Sequence, residues 1–369
     1  MPVYLDGNSS SHELLAHTLR LCGKSPAGLP NSTGRRIHIG LINNMPDAAL
    51  EATERQFLTL LDSASGGILV RLSLYALPDV PRNGAGRRHV SRFYSGVEDL
   101  WNGRLDGLIV TGRAPRTPNL MDEPYWGSLT SVLKWANHNT HSTIWSCLAA
   151  HAAVLHLDGI ARRTGHEKRC GILECTQLSD HQLMAGMPSS LKMPHSRWND
   201  IPENELTACG YNVLMRAQDA GVDTFVKRRN SLFVFFQGHP EYESDTLLLE
   251  YRRDVGRYLR GETDAYPSLP RTYFNNATAD ALTALRERAM SGSREALLAG
   301  VAAAVAESHI PNTWHSTARS IYGNWLKYIG RQKEQHLRGK VAMNVYGGGV
   351  GATPGLAIQN VLSNSAEAS

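Results

Sequence analysis

Apolar runs bounded by turn residues alternate with stretches of helical apolar spacing along much of the chain. Ile37–Asn43 (IHIGLIN) is such a run and predicts a buried strand. Pro46 and Asp47 then open a segment in which Leu50, Phe57, Leu58 and Leu61 recur near helical spacing, so strand, tight loop and helix follow one another. The order repeats. Ile68–Leu77 and Leu105–Thr111 (LDGLIVT) predict strands, and Leu129, Val132, Leu133 and Ala136 mark a helix. Thr143–Ser146 predicts a short strand, followed by an alanine-rich helical run from Leu148 to Leu157. Ser231–Gln237 (SLFVFFQ) predicts a strand that feeds GHPE, and Thr246–Leu259 a helix. This alternation implies an α/β fold, a mostly parallel sheet flanked by helices on both faces.

The ends differ in texture. Residues 1–34 form a polar lead-in rich in Gly, Ser and Pro, and residues 35–339 carry the alternating pattern. Within that unit, about 277–308 turns to Ala, Leu, Arg and Glu and predicts a helical insertion. Residues 340–369 form a Gly-rich tail expected to be irregular. Its GGGVG run lacks the GKS or GKT ending of a phosphate-binding loop.

Composition narrows the class. Hydrophobic residues make up 42% and charged residues 20% of the 369, the balance of a globular chain. No apolar run approaches the roughly 18 residues that span a bilayer, and the N-terminus lacks the form of a secretory signal, so a cytoplasmic protein is expected. The five cysteines (Cys22, Cys147, Cys170, Cys175 and Cys209) form no CxxC pair, so free thiols and no metal site are expected. A formal charge of +4, dispersed without aromatic interleaving, argues against a nucleic-acid partner.

Candidate chemistry centres on Cys147, where the strand TIWS meets the helix LAAHAAVLHL. Such a junction displays one side chain at the carboxyl edge of a parallel sheet, beside a helix N-terminus that favours a thiolate. On local context alone, Cys147 is as compatible with a small core residue as with a nucleophile. His239 also follows a strand, which brings an imidazole to the same edge, and Glu241 two residues on can accept a hydrogen bond from its ring. A Cys–His pair suits acyl transfer through a thioester. Two backbone donors are then needed for the oxyanion: the amide of Leu148 at the helix start, and one from the loop at Asn43, Asn44 or Met45, with Asn44 chosen.

At this point the chain resembles the homoserine O-acyltransferases of the succinyl/acetyl type. The resemblance runs from about Ile37 to Ile329, through INNMPDAALEATERQFLTLL, DGLIVTG, DEPYW, the strand–Cys147–helix unit ending in LDGI, HEKRCGIL, MPHSR, GHPEYESDTLLLEYRRD and WHSTARSIYGNWLKY. It implies a class I glutamine-amidotransferase-like (flavodoxin-like) fold and a homodimer. It also implies a Cys147 acyl-enzyme formed from succinyl-CoA or acetyl-CoA as donor substrate, with no bound cofactor. His239, held by Glu241, would then activate the homoserine hydroxyl.

By the same resemblance Glu250 and Arg253 hold the acceptor's ammonium and carboxylate, and Lys168 and Ser196 line the site. Glu250 and Arg253 stand three apart on one helix face, a spacing that an intrahelical surface pair also satisfies. His195 and Arg197 are neighbours without an assigned role. Arg116 falls, by its offset from Cys147, on the acyl-selecting position, and an arginine there favours succinyl over acetyl. The chain departs from the family in Asp47, Ala48 and Ala49 where lysines are usual, and in Leu148 where an aromatic residue is common. Two rival readings keep the chemistry but change the substrates: a glutamine amidotransferase, whose G-x-C-x-G elbow is absent here, and acylation of serine or another hydroxy-amino acid.

Overall fold

The computed structural model describes residues 3–6, 11–22, 35–291, 297–306, 308 and 310–346. In chain order its strands are β1 (Val3–Asp6), β2 (Arg36–Ile42), β3 (Leu69–Tyr75), β4 (Gly107–Val110), β5 (Ser142–Ser146), β6 (Arg163–Gln177), β7 (Ser190–Asp200), β8 (Asn212–Ala217), β9 (Gly221–Arg228) and β10 (Leu232–Phe236). The helices are α1 (Ser11–Cys22), α2 (Leu50–Ala64), α3 (Gly84–Phe93), α4 (Glu98–Trp101), α5 (Trp126–Asn139), α6 (Leu148–Asp158), α7 (Glu203–Ala208), α8 (Thr246–Leu259), α9 (Asn276–Met290), α10 (Leu297–Ala306) and α11 (His315–Tyr346).

All ten strands form one sheet in the order β1-β3-β2-β4-β5-β10-β9-β8-β6-β7. The six strands from β1 to β10 in that order run parallel, and β9, β8, β6 and β7 continue antiparallel. Successive side chains on a strand point to opposite faces, so a strand covered on both sides must be apolar throughout. Ile37, Ile39, Leu41, Ile109, Ile144 and Val234 pack under α2 and α11 on one face. Ile42, Leu108, Val110, Trp145, Phe233 and Phe235 pack under α5 and α6 on the other. The sheet with helices on both faces is the one that the hydrophobic pattern implies.

Two segments differ from the sequence reading. The polar lead-in supplies β1, which pairs with β3 at the sheet edge, and α1, which sends Leu14 and Leu21 into the core. Four residues of VYLD are too few for a strand period to register against the polar sequence around them. At the other end, α11 continues past Gly339 to Tyr346, and the Gly-rich run beyond it lies outside the described residues. Among the described residues no helix is long and apolar enough to cross a membrane.

Within the Ala/Leu-rich insertion, α9 and α10 pack Leu282, Leu285, Leu297 and Val301 against Tyr251 and Val255 of α8. That helix is thereby held from behind. Its opposite face, at Glu250, Arg253, Asp254 and Arg257, is free to line a cavity.

One half-buried histidine makes the fold sensitive to acid. His38 on β2 bonds Ser73 Oγ through Nε2 at 2.8 Å, and burial together with the nearby Arg71 pushes its pKa from 6.5 down to about 4. The unfolded chain binds this proton below about 6.5 while the folded chain refuses it until about 4, so stability falls as pH drops through that window. His38→Asn keeps a partner for Ser73 and removes the titration. We expect urea midpoints at about pH 7 and about pH 4.5 to show a smaller acid loss in the variant, by on the order of 1–3 kcal/mol after allowance for partial solvent screening. Equal losses in both proteins would exclude His38 as the source.

Candidate active site

The carboxyl ends of β2, β4, β5 and β10 share one edge, because Ile42 aligns with Val110, Val110 with Trp145, and Ser146 with Phe236. Whatever follows these strands meets there. Cys147 follows β5 directly, at φ 52° and ψ −116°, a backbone conformation that few non-glycine residues adopt. This sharp turn passes straight into α6, whose Ala150 and His151 amides bond back to the Cys147 carbonyl. The Cys147 amide donates to the Phe236 carbonyl at 2.8 Å, which ties the elbow to the last residue of β10.

Just past β10, His239 is anchored by its amide on the Pro194 carbonyl at 2.8 Å, and its ring stacks on Tyr242 at 4.2 Å between centroids. His239 Nδ1 lies 2.8 Å from Glu241 Oε1. Burial alone would pull the His239 pKa down. The Glu241 carboxylate and the Cys147 sulfur outweigh it and hold the imidazole well above its ordinary range. The structure therefore assembles Cys147, His239 and Glu241 in one site, and all three line a cavity of about 260 Å³.

The four substrate-binding candidates line the same cavity. Lys168 comes from the irregular stretch of β6 opposite β7, and Ser196 from β7 itself. Glu250 accepts hydrogen bonds from Ser196 Oγ and from Tyr242 Oη, the latter at 2.7 Å. Burial works to raise its pKa, but Lys168, Ser196 and Tyr242 prevail and keep it below the usual carboxylate range. Lys168 Nζ lies 2.9 Å from Asp254 and 3.6 Å from Glu250. Arg253 pairs with Asp254 through Nη2 at 2.8 Å, and its side chain is about half exposed at 56%.

Two expected roles meet different surroundings. The Asn44 amide donates to Thr111 Oγ1 at 2.8 Å and its Nδ2 to the Thr111 carbonyl at 2.9 Å, so Asn44 braces the β4 loop and its N–H is not free for an oxyanion. The neighbour of the Leu148 amide is Gly112 instead: a Cβ there would sit 2.5 Å from Leu148 N. Leu148 is the first residue of α6, where the amide has no partner within the helix. Arg116 is exposed and does not line the cavity; its amide donates to Glu123. Arg113, three residues earlier, does line it.

The unassigned neighbours are structural in this arrangement. His195 is fully buried with Nε2 3.0 Å from Asp223 Oδ1, and Arg197 bonds Asp200 and Gln237. Sequence reasoning also missed Tyr242, Asp254 and His151. Tyr242 stands within the quoted GHPEYE motif, and Asp254 follows Glu250 at i+4, so both had a positional signal. His151, one turn along α6 from Cys147, had none; burial and the cations Arg197 and Arg162 push its pKa down to about 3, so it faces the cavity neutral.

A model of the family "HTS: Homoserine O-succinyltransferase" matches residues 29–336. The chain belongs to the homoserine O-succinyltransferase family. A relative from Rhodopseudomonas palustris named homoserine O-succinyltransferase is 48% identical over 296 residues, 80% of this chain and 89% of its own length. One of the same name from Bradyrhizobium japonicum is 40% identical over 313 residues, 83% of this chain and 96% of the relative. Among solved structures, a glutamine amido transferase from Methylobacillus Flagellatus aligns at 13% identity and TM-score 0.45, over 80% of this chain and 96% of the other. The match to the family takes in every strand of the sheet except β1 and every candidate side chain described above.

Proposed function

We propose that the chain transfers a succinyl group from succinyl-CoA to the hydroxyl of L-homoserine in the cytoplasm, by a ping-pong route through a Cys147 acyl-enzyme. The observation that supports it most directly is a strained strand–helix elbow bearing Cys147 against a buried histidine whose other nitrogen is held by Glu241.

In the first half-reaction the Cys147 thiolate attacks the thioester carbonyl of the donor. The carbonyl π electrons move to oxygen, and the amides of Leu148 and of the Gly112 loop receive that charge. As the carbonyl re-forms, the bond to the CoA sulfur breaks and the His239 imidazolium gives its proton to the departing thiolate. In the second, neutral His239 takes the proton from the homoserine hydroxyl as that oxygen attacks the Cys147 thioester. The carbon–sulfur bond breaks, and the thiolate–imidazolium pair is restored. Glu241 keeps the Nδ1 proton in place throughout. Glu250 would accept the acceptor's ammonium and Arg253 its carboxylate, a charge pattern that suits a zwitterion.

Mass spectrometry of the protein mixed with succinyl-CoA, without acceptor, tests this reading. A succinyl adduct on the Cys147 peptide is expected, and its absence would sink the mechanism. Arg253→Ala should still form the adduct while the homoserine KM rises by roughly 10- to 100-fold, the value of one charge-assisted contact. An unchanged KM would remove Arg253 from the acceptor site.

A further inference from the structure

We infer that Arg113 receives the terminal carboxylate of the succinyl group and so selects the acyl donor. The inference rests on the acyl-enzyme reading above and assigns the acyl end of that site.

The cavity around Cys147 is lined by the cationic side chains of Arg113, Lys168, Arg197, Arg253 and Arg257. Four of them already stand against a carboxylate: Lys168 between Asp254 and Glu250, Arg253 beside the same Asp254, Arg197 against Asp200, and Arg257 near Glu262. Among the described residues Arg113 is the lining cation that forms no ion pair. Its Nε and Nη1 are buried and have no hydrogen-bond partner among those residues. A guanidinium carries five donors and no acceptor, and it does not lose its proton in a protein. Leaving two donors of a partly buried guanidinium without a partner is unfavourable, and an anion that arrives with the substrate would satisfy them.

Its place in the chain says which anion. Arg113 follows Gly112, whose backbone stands against the Leu148 amide where the thioester carbonyl would sit. A side chain rooted beside the carbonyl cradle is placed to meet the acyl chain, whereas the acceptor groups belong to α8. Succinyl carries a carboxylate two methylenes beyond its thioester carbonyl, and the guanidinium fork matches a carboxylate in bidentate geometry. Acetyl ends in a methyl group and leaves Arg113 uncompensated. Discrimination then comes from that unpaired charge as much as from the salt bridge that succinyl forms. Arg116, which the offset from Cys147 favoured, is turned to solvent.

The test compares succinyl-CoA with butyryl-CoA, which has the same chain length and a methyl in place of the carboxylate. Rapid-quench mass spectrometry gives the rate of Cys147 acylation by each donor in the wild type, Arg113→Met and Arg113→Lys. We expect the succinyl-to-butyryl rate ratio to fall roughly 10- to 100-fold in Arg113→Met and less in Arg113→Lys. An unchanged ratio, or equal loss with both donors, overturns the assignment, the second outcome marking a structural role. Calorimetric binding of the two donors to Cys147→Ala, with and without Arg113→Met, reads the same interaction without a covalent step. A wild type that forms no adduct while succinyl-CoA binding still depends on Arg113 would overturn the acyl-enzyme reading and leave this one standing. Binding that is indifferent to Arg113 would end it.

Discussion

Cys147→Ala is expected to form no adduct with any acyl-CoA and to lose about 10⁴-fold or more in turnover, as follows when a nucleophile that works as a unit with its base is removed. Steady-state assays with homoserine and succinyl-CoA measure this directly. Turnover within tenfold of the wild type would mean that the acyl group passes straight from donor to acceptor. The same position carries an opposite expectation for stability. A non-glycine residue at φ 52° and ψ −116° stores strain of about 1–3 kcal/mol, from which glycine is exempt. Cys147→Gly should therefore denature at higher urea than Cys147→Ala while being equally inactive. If the two variants unfold together, the elbow is not strained, and its geometry is no mark of function.

Gly112→Ala should lower kcat by about 10²–10³-fold, the value of a lost oxyanion donor. The added methyl would lie 2.5 Å from Leu148 N, 2.8 Å from Leu148 Cβ and 3.0 Å from Leu148 Cα. None of these atoms can swing away, because they are the backbone and root of the first residue of α6. The Gly112 loop must retreat instead, which would separate the two amides proposed to receive the oxyanion. The slowed step should be acyl-enzyme formation, visible as a slower burst with little change in the urea midpoint. A near-normal kcat would assign the second donor elsewhere.

The parallel half of the fold was legible because each of its central strands is buried on both faces and reads as an unbroken apolar run, from IHIGLI in β2 to LFVFF in β10. Once those strands were in order, Cys147 and His239 had to share an edge, and the structure brings them together. The antiparallel half was not legible. In β6, RTGHEKRCGILECTQ interleaves charges with apolar residues, because much of this strand lies outside the covered core, and no period stands out. Two candidates meet surroundings other than those expected for one reason: sequence offset does not report which atoms are already engaged. Asn44 stood in the right loop but commits its amide to Thr111. Arg116 stood at the right count but turns outward around Glu123. Arg113, three residues before it, keeps two buried nitrogens unpartnered among the described residues.

The position of β10 in the sheet bears on how the enzyme comes into being. It is the last described strand in the chain, yet it sits in the interior, between β5 and β9. Through it the parallel and antiparallel halves are joined, and from its end the chain delivers His239 to a thiol that was synthesised long before. Until β10 is seated, the elbow amide of Cys147 lacks its Phe236 partner and the sulfur lacks the neighbouring His239. On the proposed mechanism, completion of the sheet and the onset of catalytic competence would therefore coincide, because a chain without a seated β10 has Cys147 without His239 beside it.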